Sequence, residues 1–119
     1  MIGVDIASVE RISKAIASDA FISRVFTAAE RAYCDGMPQP AQSYAGIFCA
    51  KEAAVKALGV GFGSGIMPTD IEISHDGNGA PHLSFFGKAA ELVGDMATSV
   101  SISHDGGLAI AVVEIIATR

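Results

Sequence analysis

The chain contains no tryptophan, only 7% aromatic residues and only 8 lysines and arginines among 119 residues. A nucleic-acid surface needs a basic cluster interleaved with stacking rings, so an extended DNA or RNA interface is excluded. Charged residues are also scarce, at 18% against 50% hydrophobic. A domain of this size buries only about 60–70% of its unfolded surface, so some apolar surface is expected to stay exposed, and an oligomer is expected with it. Cysteine occurs twice, as Cys34 and Cys49, without metal spacing or a CxxC, which reads as two reduced thiols. His75 and His82 are too few, and lack the carboxylate spacing, for a zinc site. No apolar run approaches the ~18 residues of a membrane span, and the longest candidate, Leu108 to Val113, stops at Glu114. Met1 to Asp5 lacks a basic leader and carries an acid where a signal peptide stays apolar, so a cytoplasmic location is expected. The expected organisation is one compact domain over residues 1–119.

The charge that is present is unevenly placed. Residues 1–56 hold six basic and six acidic residues, whereas residues 57–119 hold two basic and seven acidic ones, so the net charge of −5 belongs to the second half. The two halves also differ in pattern. Residues 1–7 alternate, with Ile2, Val4 and Ile6 on one side and Gly3 and Asp5 on the other, as in a short strand. Ser8 can cap a helix through Val9, Ile12, Ala15 and Ile16, with Arg11 and Lys14 on its outer side. Short helical pieces follow at 21–26 and from Thr27, where Thr-Ala-Ala-Glu reads as a capping box. The longest helix is expected from about Ala41 to Leu58, ended by the glycine-rich stretch 59–65. Two hairpins are expected in the second half, turning at Asp76-Gly77-Asn78-Gly79 and at Asp105-Gly106-Gly107, with a helix at 88–96 between them. Helices first and antiparallel hairpins second make an α+β fold: a small antiparallel sheet, joined by the first strand, packed against a long central helix.

The long helix carries the chemistry. Tyr44, Ile47, Phe48, Val55 and Leu58 form a bulky stripe, and Gly46, Ala50, Ala53, Ala54 and Ala57 form a small-residue face behind it. Lys51, Glu52 and Lys56 lie within or beside the bulky stripe, where a charge is costly unless a partner or an ion compensates it. An ion pair between Glu52 and Lys56, four residues apart, would satisfy two of the three. Asp5 is the matching oddity, an acid in an apolar strand with Gly3 two residues earlier on its face, which suggests an open notch beside a carboxylate. It could instead cap the following helix. Asp5 and Glu52 together could hold one Mg²⁺, which takes one or two protein carboxylates and fills its octahedron with water and phosphate oxygens. The glycine run offers backbone N–H groups to an anion, or is simply a helix cap and loop. Ser103 and His104 are neighbours in a strand and face opposite ways, which argues against a serine hydrolase. His104 could donate to a ligand phosphate or to a turn carbonyl.

These pieces in order, Gly3-Val4-Asp5-Ile6, Glu10-Arg11-Ile12, Phe26 to Glu30, Phe48 to Gly59 with its Lys51-Glu52 and Lys56, and Ser101 to His104, resemble the holo-[acyl-carrier-protein] synthase family of 4′-phosphopantetheinyl transferases. Ile71-Glu72-Ile73 with Asn78-Gly79-Ala80-Pro81 fits the family's middle hairpin. The resemblance implies the transferase fold and transfer of 4′-phosphopantetheine from coenzyme A to a serine of apo acyl carrier protein, releasing adenosine 3′,5′-bisphosphate. It further implies Mg²⁺, and a homotrimer with active sites between subunits. Carried over, Asp5 and Glu52 would bind the metal and, with Lys56, form the catalytic set. Lys51, Lys56, Gly59, Gly61, Ser103 and His104 would meet coenzyme A, and Arg11 and Lys14 would dock the acidic carrier. Many members have arginine where this chain has Ile47, and Gly-Thr-Gly where it has Gly59-Val60-Gly61. A coenzyme A binding module without transfer, and a purely structural oligomer, are the competing readings.

Overall fold

A computed structural model describes residues 1–117. The order is β1 (Ile2–Ser8), α1 (Val9–Ala15), α2 (Asp19–Val25), α3 (Ala28–Asp35), α4 (Pro40–Leu58), a single 3-10 turn (Pro68–Asp70), β2 (Ile71–His75), β3 (Pro81–Phe85), α5 (Gly87–Val93), β4 (Ala97–Asp105) and β5 (Leu108–Ile116). Local chemistry sets most of these boundaries. Ser8 accepts from the Arg11 N–H and Ser18 from the Phe21 N–H, satisfying donors that each helix start leaves open. Thr27 and Glu30 form the expected reciprocal capping box. Pro40 opens α4 where its missing N–H costs nothing, and Gly59, at φ 75°, closes it in the left-handed conformation.

The strands form two antiparallel sheets, one ordered β1-β5-β4 and one made of the β2–β3 hairpin. Gly106 and Gly107, at φ 57° and 79°, make the two-residue turn between β4 and β5. The α+β expectation therefore holds, with β1 joined to β5 through pairs such as Gly3 with Val113 and Asp5 with Ala111.

Helix α4 is the centre of the molecule. Its small residues Ala50, Ala53, Ala54 and Ala57 are buried in a core that also takes Ala109, Ala111, Val113 and Ile115 from β5. Tyr44, Ile47 and Val55 are buried too, in the same core as Phe26, Ile71 and Ile73. The ring of Phe26 meets that of Tyr44 edge to face at 4.9 Å. The small-residue face of the helix is thus buried, and so is most of its bulky stripe, with Phe48 and Leu58 only partly covered.

Gly3 corrects one expectation. Gly3 itself leaves no open notch, because the backbone of α4 fills the space it vacates: a Cβ on Gly3 would fall 1.9 Å from the Ala53 carbonyl oxygen and 2.6 Å from the Ala57 nitrogen. The glycine lets the strand rest directly on the helix. As a result the glycine-and-aspartate side of β1 faces inward, and its apolar side faces out, with Ile2, Val4 and Ile6 exposed at 68%, 49% and 59%. Leu108, Ile110, Val112 and Ile116 extend this exposed apolar face across β5. Replacing Gly3 with alanine should cost more than about 3 kcal/mol, because the contacts to be relieved are backbone and cannot rotate away. Urea unfolding of the variant checks this.

Candidate active site

Asp5 and Glu52 meet at one cleft, of about 440 Å³, that Arg11, Ile12, Phe21 and Phe48 also line. β1 delivers Asp5 and the middle of α4 delivers Glu52. Lys56 stands one helical turn beyond Glu52, and its Nζ donates to the Val4 carbonyl and to Asp5 Oδ1, both at 3.1 Å. The lysine therefore pairs between elements with Asp5, not along its own helix with Glu52. Asp5 does not cap α1, a role that Ser8 fills.

Burial and the neighbouring charges both act on the Glu52 carboxyl. Burial raises the Glu52 carboxyl above the usual carboxylate range, the Asp5 charge raises it further, and Lys56 only partly offsets both. The Cys49 thiol is pushed up to about 12 by burial first and then by the Asp5 carboxylate. Among the described residues no group of three or more His, Cys, Asp or Glu side chains is arranged to hold a metal ion. Two carboxylates of mutually unfavourable charge fit a hard divalent ion that takes its remaining ligands from water and substrate oxygens.

A second cavity, of about 270 Å³, has His104, Gly46, Ile47, Tyr33 and His75 in its lining. His104 Nε2 lies 3.0 Å from the Gln42 carbonyl and donates to it. Gly46 makes room for that imidazole, since a Cβ there would lie 2.9 Å from Nε2. Within one chain the His104 cavity and the Asp5–Glu52 cleft are lined by different residues. Ser103 joins neither, because it points to the outer face of the sheet among Ile110 and its neighbours. Gly59 and Gly61 line neither and have nothing within 4 Å of where a Cβ would be.

Lys51 requires the clearest correction. It is not a cleft residue: it is 1% exposed and makes a 2.8 Å ion pair with Glu30, itself 0% exposed. Its Nζ also donates to the Pro68 carbonyl at 2.9 Å and to the Ile71 carbonyl. Glu30 in turn accepts from the Thr27 and Ile73 N–H groups. Burial lowers the Lys51 pKa and the Glu30 charge opposes that. All three ammonium protons are thus committed to protein oxygens, which leaves none for a phosphate. Sequence reasoning saw Glu30 only as a capping residue, and its second role depends on β2, distant in the chain.

Lys14, expected with Arg11 on the outer side of α1, pairs with Glu10 at 3.4 Å, both well exposed. Such a pair contributes little to stability and leaves the lysine available.

A family model described as the 4′-phosphopantetheinyl transferase superfamily matches residues 1–113. The chain belongs to that superfamily. A curated holo-[acyl-carrier-protein] synthase from Geobacter metallireducens is 40% identical over 116 residues, covering 93% of this chain and 92% of that protein. Among solved structures, holo-[acyl-carrier-protein] synthase of Helicobacter pylori in complex with coenzyme A is similar at TM-score 0.85 and 37% identity, covering 97% of this chain and 99% of the other. The Bacillus anthracis holo-(acyl-carrier-protein) synthase, in complex with coenzyme A (3′,5′-ADP), follows at TM-score 0.83 and 34% identity, with 98% and 96% covered. The transferase fold expected from the resemblance is therefore the fold of this chain.

In this transferase, Lys51→Ala should cost about 3–5 kcal/mol, because it leaves the Glu30 carboxylate buried without a counter-charge. Chemical unfolding reads that loss. The folded fraction should bind coenzyme A as tightly as the parent.

Proposed function

We propose that this phosphopantetheinyl transferase is a holo-[acyl-carrier-protein] synthase whose Asp5, Glu52 and Lys56 form the reacting centre. The observation that carries the site assignment is the meeting of two carboxylates, one from the strand and one from the helix, at one cleft, with Lys56 paired to Asp5 beside it. In the reaction the serine oxygen of the carrier forms a bond to the phosphorus bearing the pantetheine arm. The bridging oxygen leaves with adenosine 3′,5′-bisphosphate, and the hydroxyl proton passes to an acceptor in the cleft. Such a transfer needs little covalent help from the protein and much positioning and charge stabilisation.

Asp5 and Glu52 would hold Mg²⁺, which, when bound, supplies charge neutralisation at the diphosphate. Lys56 would contact the same phosphates from the rim, exchanging its Asp5 partner for them. His104 would take the nucleotide end of coenzyme A. The separation of the His104 cavity from the carboxylate cleft within one chain supports an active site built by two subunits, and the exposed apolar face of β1 and β5 supports a homotrimer. Arg11 and Lys14 would receive the acidic carrier through a small basic pair, giving modest and salt-sensitive affinity. No helix among the described residues is long and apolar enough to cross a membrane.

Incubating apo carrier protein with the enzyme, coenzyme A and Mg²⁺ should add about 340 Da to the carrier, the mass of the transferred arm. No mass gain would reduce the chain to a binding module. Glu52→Gln should lower turnover by about 100-fold or more, with far-ultraviolet circular dichroism unchanged. Because the Glu52 carboxyl sits above the usual range, protons should displace the cation at a higher pH than an ordinary carboxylate would allow. Calorimetric Mg²⁺ affinity should therefore begin to fall, as the pH is lowered, at a higher pH than for a pair of ordinary carboxylates. Ile6→Glu, which places a charge on the exposed apolar face, should shift sedimentation from trimer to monomer, and activity should fall with it.

A further inference from the structure

One wall of the His104 cavity is made by a pair that the transfer chemistry leaves unexplained. Tyr33, in the last turn of α3, and His75, the last residue of β2, lie ring on ring, with centroids 3.9 Å apart and planes within 2°. Both line the cavity, and so do Gly79 and Pro81 from the far side of the same hairpin tip. The Nδ1 atom of His75 is buried and has no hydrogen-bond partner. An unpartnered buried nitrogen is costly, so the ring occupies this place because something else holds it there. The face of Tyr33 provides that hold.

Several charges bear on His75. Burial lowers its pKa, the nearby His82 charge acts the same way, and Asp76 opposes both. A neutral ring is the form that suits the wall, since protonation would put a second N–H where no acceptor exists. The tip itself is braced from within. Asp76 Oδ1 accepts from the N–H groups of Asn78 and Ala80 at 2.8 and 3.0 Å, and its Oδ2 lies 2.9 Å from His82 Nε2. The tip is therefore a stiff unit, and His75 is its joint to α3.

Among the described residues, the lining of this cavity includes no lysine or arginine, and Ile47 is part of it. This chain's own contribution to holding a nucleotide there is therefore shape, flat contacts, and imidazole and backbone donors.

We propose that the Tyr33–His75 stack is a positioning element for the nucleotide end of coenzyme A, fixing the β2–β3 tip as a wall of the cavity and so setting the width in which the nucleotide sits. The proposal rests on the reading that this cavity takes the nucleotide. Neither ring transfers a proton or touches the reacting phosphorus.

The test measures KM for coenzyme A, kcat, and the Kd of adenosine 3′,5′-bisphosphate for His75→Ala, Tyr33→Ala, His75→Phe, Tyr33→Phe and His104→Ala. The alanine variants should raise KM and Kd about 10-fold while kcat at saturating coenzyme A stays within about twofold. The phenylalanine variants keep a flat face and should restore parental values, and His75→Phe should also raise the melting midpoint by removing the orphan nitrogen. Unchanged KM and Kd in folded alanine variants, or phenylalanine variants as impaired as alanine, would overturn the proposal. If the alanine variants do not fold, His75→Leu fills the volume without a flat face and carries the same comparison. His104→Ala separates the two levels. If it weakens bisphosphate binding and the stack variants do not, only the positioning role fails; if it too has no effect, the nucleotide lies elsewhere and the functional reading of the cavity fails.

Discussion

The direct seating of β1 on the backbone of α4 is the contact on which the proposed reacting centre depends. Asp5 stands beside Glu52 and Lys56 only because Gly3, two residues earlier on the same face, allows strand and helix to approach closer than any side chain would permit. Any other residue at position 3 would lift the strand, and the carboxylate would rise with it. The same contact turns the apolar side of β1 outward. Site geometry and assembly surface are thus two results of one missing side chain.

Helix α4 serves different tasks on different faces because its charges are separated by rotation. Lys51 and Glu52 are adjacent in sequence, yet about 100° of helical turn sends the lysine into the core against Glu30 and the glutamate to the cleft. The buried pair ties α3, α4 and the start of β2 at the level of Glu52. A desolvated pair of this kind adds little net stability over a well-packed apolar one, and its retention fits a role in specifying how the elements dock. One turn and a half earlier, Gly46 serves the opposite end of the helix by admitting the His104 ring.

Much of this was readable from the chain itself. Periodicity and turn chemistry located the long helix, the first strand, both hairpins and the Thr27–Glu30 capping box, because each rests on interactions within a few residues. Asp5 and Glu52 stood out because a charge in an apolar element demands a partner. What sequence could not reach depended on contacts distant along the chain. Lys51 looked like a cleft residue because its partner, Glu30, is brought to it only by the docking of α3. The notch expected beside Gly3 was occupied, since a glycine permits an empty space and a close approach equally well, and only the packing partner decides. Ser103 and His104 were read together from the motif, although strand alternation, already used to reject a serine hydrolase, sends them to opposite faces. Tyr33 and His75, 42 positions apart in the chain, gave no local signal of meeting.

Cys49 lies beneath the carboxylate cleft, its Sγ donating to the Ala109 carbonyl at 3.4 Å. With the thiol held near 12 by burial and by the Asp5 carboxylate, only about one molecule in 10⁵ carries a thiolate at neutral pH. Alkylating reagents and peroxide, which need an accessible thiolate, should therefore react slowly with this buried thiol.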